Sequence, residues 1–265
     1  MTDMATAQAA QTLLAAFDDN RQLPPLSENA PLSLDQGYAI AAGITALRRG
    51  RGETPAGRKI GFTNRKIWPI YNVHAPIWGW VWDTTLHDIP ASGHIALPPR
   101  PELRIEPEIV FGLGRTPDPE MTATQLWACV DWVAHGVEIV TSLYPGWHFT
   151  AADTAAAMGM HAGLWIGPRH SASAVDPDSL TAMTLTLAGP GTSLVGYGHD
   201  VLDGPLYALH HLVRDTAQKV GAAPLQAGEI VTTGTLTDAP RIAPGQTWTT
   251  RIQGTGLSDL DLTLV

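Results

Sequence analysis

The chain has 265 residues, 44% of them hydrophobic and 15% charged, with 26 Gly and 21 Pro. That balance describes a compact, loop-rich protein with a sizeable core and excludes a disordered or coiled-coil chain. A formal net charge of −9 argues against a nucleic-acid surface, no 18-residue apolar span exists to cross a membrane, and one cysteine, Cys129, permits no intrachain disulfide.

Two helices open the chain. The Ala-rich segment 4–19 lacks the basic region of a signal peptide, so the cytoplasm is the expected location. A second helix starts at Ser33, where Gln36 completes a capping box, and ends at Gly50. Its apolar stripe is Ile40, Ile44 and Leu47, and the cluster Arg48-Arg49-Gly50-Arg51 reads as a helix C-terminus. Links rich in Pro, Ser and Asn at 24–33 and in Gly and Arg at 50–57 mark residues 1–57 as a small helical N-terminal region and 58–265 as the main domain.

From Arg58 onward short β-branched runs alternate with turn signals. Strands are expected at 58–63, 79–86, 102–112, 133–142, 162–166, 181–187, 193–198, 229–233, 247–253 and 259–264. Helices are expected at 122–132, where Thr122 and Gln125 form another capping box, and at 204–220. This order predicts an α+β fold with a large mixed sheet system, not a regular βαβ alternation.

Several residues are chemically out of place in these elements. Lys59 stands in a short, buried-looking strand, and ammonium groups are almost never buried without a partner. Trp78, Trp80 and Trp82 alternate, which puts them on one sheet face, either as packing or as a lid over an apolar substrate. In IEPEIVFGL at 105–113, Glu106 and Glu108 are two residues apart and share a strand face, with Ile105, Ile109 and Phe111 on the other. Two neighbouring carboxylates in apolar surroundings resist joint ionisation unless a cation lies between them. Oxygen ligands point to magnesium, manganese or calcium. Glu138, in a second β-branched strand, could complete three acidic ligands; His135, three residues earlier, would face the other way. Cys129 lies in an apolar segment and reads as a buried, inert thiol. Thr233 and Thr235 carry hydroxyls into a Gly-containing turn, and His74, His148 and His161 fall in or beside candidate site loops.

The order of these pieces is what makes a family visible. Lys59-Ile60-Gly61-Phe62-Thr63, Pro76-Ile77-Trp78-Gly79, IEPEIVFGL, VEIV and GEIVTTGTLT together resemble the fumarylacetoacetate hydrolase superfamily, over about residues 35–255. Within it the 2-keto-4-pentenoate hydratase and 4-oxalocrotonate decarboxylase group is most similar. The resemblance implies a mixed β-sheet roll as the catalytic fold, a Mg2+ or Mn2+ ion on Glu106, Glu108 and Glu138, and a homo-oligomer built from dimers. It implies Lys59 as the catalytic residue, with Gly61, Phe62, Trp78, Thr233 and Thr235 beside a small 2-oxo acid. The chain also departs from the pattern. Ile-Asp-Ser-Arg after the third acid is replaced by Ile139, Val140, Thr141 and Ser142, and Ala-Asp-Asn by Ala156, Ala157 and Met158, although Trp147 and Asp153-Thr154 match. The expected activity is hydration of a short 2-oxo-enoate or dienol acid through an enolate. The alternatives are C–C hydrolysis of an acylpyruvate-type diketo acid, with His161 or His148 as base, decarboxylation of a 2-oxo acid, or a binding protein that has lost catalysis.

Overall fold

The computed structural model describes residues 2–219 and 222–265. Helix α1 (Asp3–Asp18) is capped by the Thr2 hydroxyl, and α2 (Leu34–Gly50) by the full Ser33–Gln36 box. Their buried faces, including Leu13, Phe17, Ile40 and Ile44, meet Leu143, Tyr144, Met158 and Met160 in a small separate core. The two helices are thereby anchored on the segment that walls the pocket described below. Leu47 is left exposed; Arg48 takes the inward place, paired with Glu53 at 2.5 Å and lying 4.5 Å from the Trp82 ring centre.

Twelve strands follow among the described residues: β1 (Pro55–Gly61), β2 (Ile77–Trp82), β3 (Leu86–Asp88), β4 (His94–Ile95), β5 (Arg104–Leu113), β6 (Val130–Val140), β7 (His161–Ser171), β8 (Thr184–Gly189), β9 (Thr192–Tyr197), β10 (Ile230–Thr232), β11 (Thr247–Gln253) and β12 (Leu260–Leu264). Between them lie α3 (Trp68–Tyr71), α4 (Ala123–Leu126), α5 (Ala151–Ala156), α6 (Pro177–Ala182) and α7 (Pro205–Gln218). A seven-stranded mixed sheet has the order β2-β1-β10-β5-β6-β7-β3, and a five-stranded one the order β4-β12-β11-β8-β9. The α+β expectation holds.

Differences from the expected elements have local causes. Thr122 and Gln125 do cap α4, but the helix stops at Leu126 and a 3-10 turn leads into β6 at Val130. From there the chain pairs with β5 along its whole length, so sheet pairing overrides a capped helix start. The strand expected from 181 begins at Thr184, because Asp176 caps a helix through Ala182. Helix α7 ends at Gln218, and Val220 lies outside the described residues.

The register of the large sheet divides its residues between two faces. Glu106 lies directly opposite Glu138, Arg104 opposite Val140, Thr232 opposite both Val110 and Lys59, and Gly61 opposite Ile77. Residues paired in this way share a face. The opposite face carries Ile60, Ile105, Ile109, Phe111, Val137, Ile139 and Val231 into the main hydrophobic core.

Candidate metal centre

The polar face is where the acidic residues converge. One oxygen each from Glu106, Glu108 and Glu138 lies within 4.8 Å of the other two. Glu108 and Glu138 are fully buried, and Glu106 remains partly open to a cavity. Lys59, itself buried, places Nζ 3.1 Å from Glu138 Oε2. Gly159, in the left-handed region at φ 68°, lets the chain pass beside the Lys59 stem, where a Cβ would lie 2.8 Å from Cδ.

The remaining carboxylate oxygens are mostly held. Glu108 Oε2 accepts from the Thr232 hydroxyl and, at 2.8 Å, from the Gly234 N–H. Gly234 has φ 101°, and a Cβ there would collide with Thr63. Glu138 Oε1 lies 2.7 Å from His161 Nδ1, and His161 Nε2 lies 2.8 Å from the Thr85 hydroxyl. Glu108 Oε1 is different: it is buried and accepts no hydrogen bond. An orphaned carboxylate oxygen beside two other acids fits a cation site.

The electrostatics agree. Burial pushes the Glu106 carboxyl up to about 7, with Lys59 opposing and Glu138 adding to the rise. Burial, then Glu138 and Glu106, drive Glu108 well above the usual range. Burial also works upward on Glu138, but Lys59 and His161 outweigh it and hold this carboxyl below its ordinary value. On Lys59 burial works against the charge, and the three acids overcome it, so the ammonium is held above its ordinary value. Fully ionised, three carboxylates against one ammonium leave two negative charges, which one divalent cation cancels.

The cavity beside this cluster has about 380 Å³ and is lined by Lys59, Gly61, Phe62, Arg104, Glu106 and Thr235, with Ile67, Ile77, Val140 and Met160 as apolar wall. Of the residues expected beside the substrate, Gly61, Phe62 and Thr235 are therefore there. Trp78 and Thr233 are not. Strand alternation turns Ile77 and Gly79 towards Lys59, so Trp78 faces the opposite side, stacked on Tyr38 with ring centres 5.5 Å apart. Trp78, Trp80 and Trp82 line an outer groove under α2, which removes the lid reading. Thr233 Oγ1 is spent on the Ile109 carbonyl, and its neighbours Thr232 and Gly234 are the ones that touch Glu108.

Neither histidine expected as a base is placed as one. Both His161 nitrogens are engaged behind Glu138, away from the cavity lining, and burial lowers its pKa. His148 is exposed and is absent from the cavity wall. His135 is buried behind the sheet, its Nδ1 3.2 Å from the Ser258 carbonyl. Val140 stands in the wall at the first departure from the family pattern, and Ser142 is buried, bonded to the Tyr144 carbonyl at 2.5 Å. The cavity wall is also conformationally tense: Phe62, Trp147 and Met160 all have φ between 56° and 63°.

Comparison with known proteins places this arrangement. A 2-keto-4-pentenoate hydratase of Paraburkholderia xenovorans (strain LB400) is 31% identical over 259 residues, covering 97% of this chain and 94% of the relative. The chain belongs to the 2-keto-4-pentenoate hydratase family. It is a hydratase-like enzyme. The structure of a 4-oxalocrotonate decarboxylase from Pseudomonas putida G7, complexed with magnesium and adipate, superposes with a TM-score of 0.90 at 23% identity, over 100% of this chain and 99% of that one. A fumarylpyruvate hydrolase from Pseudomonas aeruginosa, in complex with Mn2+ and pyruvate, gives 0.60 at 16% identity over 78% and 88% of the two chains. No family model matches the sequence. Among the described residues no helix is long and apolar enough to cross a membrane.

Proposed function

We propose that the protein is a divalent-cation-dependent hydro-lyase that adds water across the conjugated double bond of a short 2-oxo-enoate or its dienol. The carrying observation is the convergence of Glu106, Glu108 and Glu138 on one sheet face beside a buried, charged Lys59. Those three carboxylates would hold Mg2+ or Mn2+. When bound, such an ion supplies Lewis-acid stabilisation for the negative charge that develops on a 2-oxo acid as it becomes an enolate.

The chain's own residues do the rest. Thr232 and the Gly234 N–H fix the Glu108 carboxylate, and His161, braced by Thr85, fixes Glu138. Lys59 lines the cavity and would give a proton to a substrate carbon during ketonisation, or steady the substrate carboxylate. Ile67, Ile77, Val140 and Met160 keep bulk water from the dienolate. A C–C hydrolase needs a base aimed at a ketone-bound water, and His161 and His148 do not occupy such a position.

The test is a pair of incubations with Mg2+, one with 2-hydroxypenta-2,4-dienoate and one with an acylpyruvate. Loss of dienoate absorbance without release of pyruvate or CO2 is the expected result. Pyruvate released from the acylpyruvate would mark a hydrolase instead. Unchanged spectra in both, despite cation-dependent ligand binding, would mark a protein that only binds.

A further inference from the structure

An irregularity between two strands brings His161 to the acidic face. β6 and β7 pair Ile139 with Gly163 but Val140 with His161, so β7 holds one extra residue, Ala162, at this point. In a regular ladder Ala162 would stand opposite Val140 and share its face. The bulge sends Ala162 into the main core instead and turns His161 towards Glu138. There the ring is held at both ends. A carboxylate only accepts, so Nδ1 donates to Glu138 Oε1 at 2.7 Å. Burial favours the neutral ring, whose Nε2 accepts from the Thr85 hydroxyl at 2.8 Å. The Trp82 N–H, 3.1 Å from the Thr85 oxygen, fixes that hydroxyl in turn.

These bonds limit how many oxygens the acids can give a cation. Glu138 Oε1 belongs to His161, and Oε2 meets only the Lys59 ammonium, at 3.1 Å. Glu108 Oε2 belongs to the Thr232 hydroxyl and the Gly234 N–H, and Oε1 is bare. Each of these two buried carboxylates has one oxygen left to offer, and Glu106, at the cavity, has one or two. So small a set suits Mg2+, which holds to an octahedron and keeps several waters. Ca2+ takes more oxygens and commonly draws two from one carboxylate.

We propose that His161 is a positioning residue that sets the ion preference of this centre: by occupying Glu138 Oε1 it keeps that acid monodentate and disfavours a cation as large as Ca2+. This rests on the cation-dependent reading above. Thr232 and Gly234 do the same for Glu108, but one of those two donors is backbone. The His161 contact is therefore the one that a single substitution releases.

The test is calorimetric titration of the protein with MgCl2 and with CaCl2 at one pH, reading the ratio of the two affinities. In His161→Leu the second Glu138 oxygen is released, and Mg2+ affinity falls by about 10- to 100-fold. Ca2+ affinity falls less, because the freed oxygen serves the larger ion, and the ratio moves towards Ca2+ by about tenfold or more. His161→Asn, whose amide can still donate to Oε1, keeps a ratio close to wild type. A side chain that only supported the fold would weaken both ions alike. A ratio in His161→Leu that is unchanged, or moved towards Mg2+, overturns the assignment while leaving the cation centre intact. If neither ion binds the wild type, the cation-dependent reading fails and this assignment with it. Thermal unfolding monitors each variant; should His161→Leu not fold, an unchanged ratio in Thr85→Val overturns the proposal.

Discussion

Arg58 and Lys59 are consecutive in β1, equally buried, and face opposite sides of one sheet. Arg58 has its charge matched inside the chain: Glu229 at 3.0 Å, the Pro224 carbonyl at 3.3 Å, and the rings of Trp78 and Trp80 at 5.1 and 4.4 Å. One cation meets one carboxylate, and the pair ties β1 to the turn before β10. Lys59 meets three carboxylates, of which one keeps an orphaned oxygen, and it borders a cavity. The first charge is balanced within the chain. The second site carries an excess of negative charge that only something from outside can cancel. A buried charge is thus informative about function when its local sum does not close.

Removing a ligand is the most severe way to break this contrast. At a Mg2+ concentration one hundred times the dissociation constant, the wild type gains about 2.7 kcal/mol of stability. Glu106→Gln and Glu108→Gln are each expected to lose that gain, read as a cation-dependent shift in thermal midpoint. An unchanged shift in either variant refutes the metal assignment. Next in size is Lys59→Ala, for which turnover falls by about 10²- to 10⁴-fold. Its cation-dependent stabilisation is retained, because the ammonium competes with the cation for the same carboxylates. If activity and metal response disappear together, Lys59 is part of the fold and not of the chemistry.

Arg58→Met makes the complementary test on the other face. It strands Glu229 and is expected to cost about 3 kcal/mol in urea unfolding, while the activity of the folded fraction is unchanged. The smallest effect concerns a third buried base, His135, which burial holds neutral with a pKa of about 4. An unfolded histidine takes up its proton near 6.5, so between those values the unfolded chain binds more protons and stability falls as the pH drops. The loss reaches at most about 3 kcal/mol by pH 4. His135→Gln should flatten this part of the difference between wild-type and variant stability profiles over pH 6.5 to 4.

Much of this site is legible in the sequence because strand geometry is simple. Glu106 and Glu108 must share a face, and a charge in a β-branched run, at Lys59 or Glu138, announces an unusual environment. Which strands become neighbours is not legible from single segments. The pairing of β10 with β5 brings Thr232 to Glu108, and it makes the adjacent Thr233, equally good on paper, a backbone tether. The place of Trp78 is likewise set by the partner strand, which fixes Ile77 and Gly79 as the residues beside Lys59 and turns Trp78 to the other side. His161 looked like a base in isolation, and only its two occupied nitrogens show it bracing Glu138.

The left-handed residues of the cavity wall are held in place by packing. Phe62, Trp147 and Met160 each keep a conformation that costs an L-residue roughly 1 kcal/mol or more. Glycine at Met160 would relax the backbone but empty a buried place in the small core, and losing a buried methionine costs about 2–5 kcal/mol. The side chain that shapes the pocket wall also fills the core under α1 and α2, so the wall cannot drift without loosening those helices.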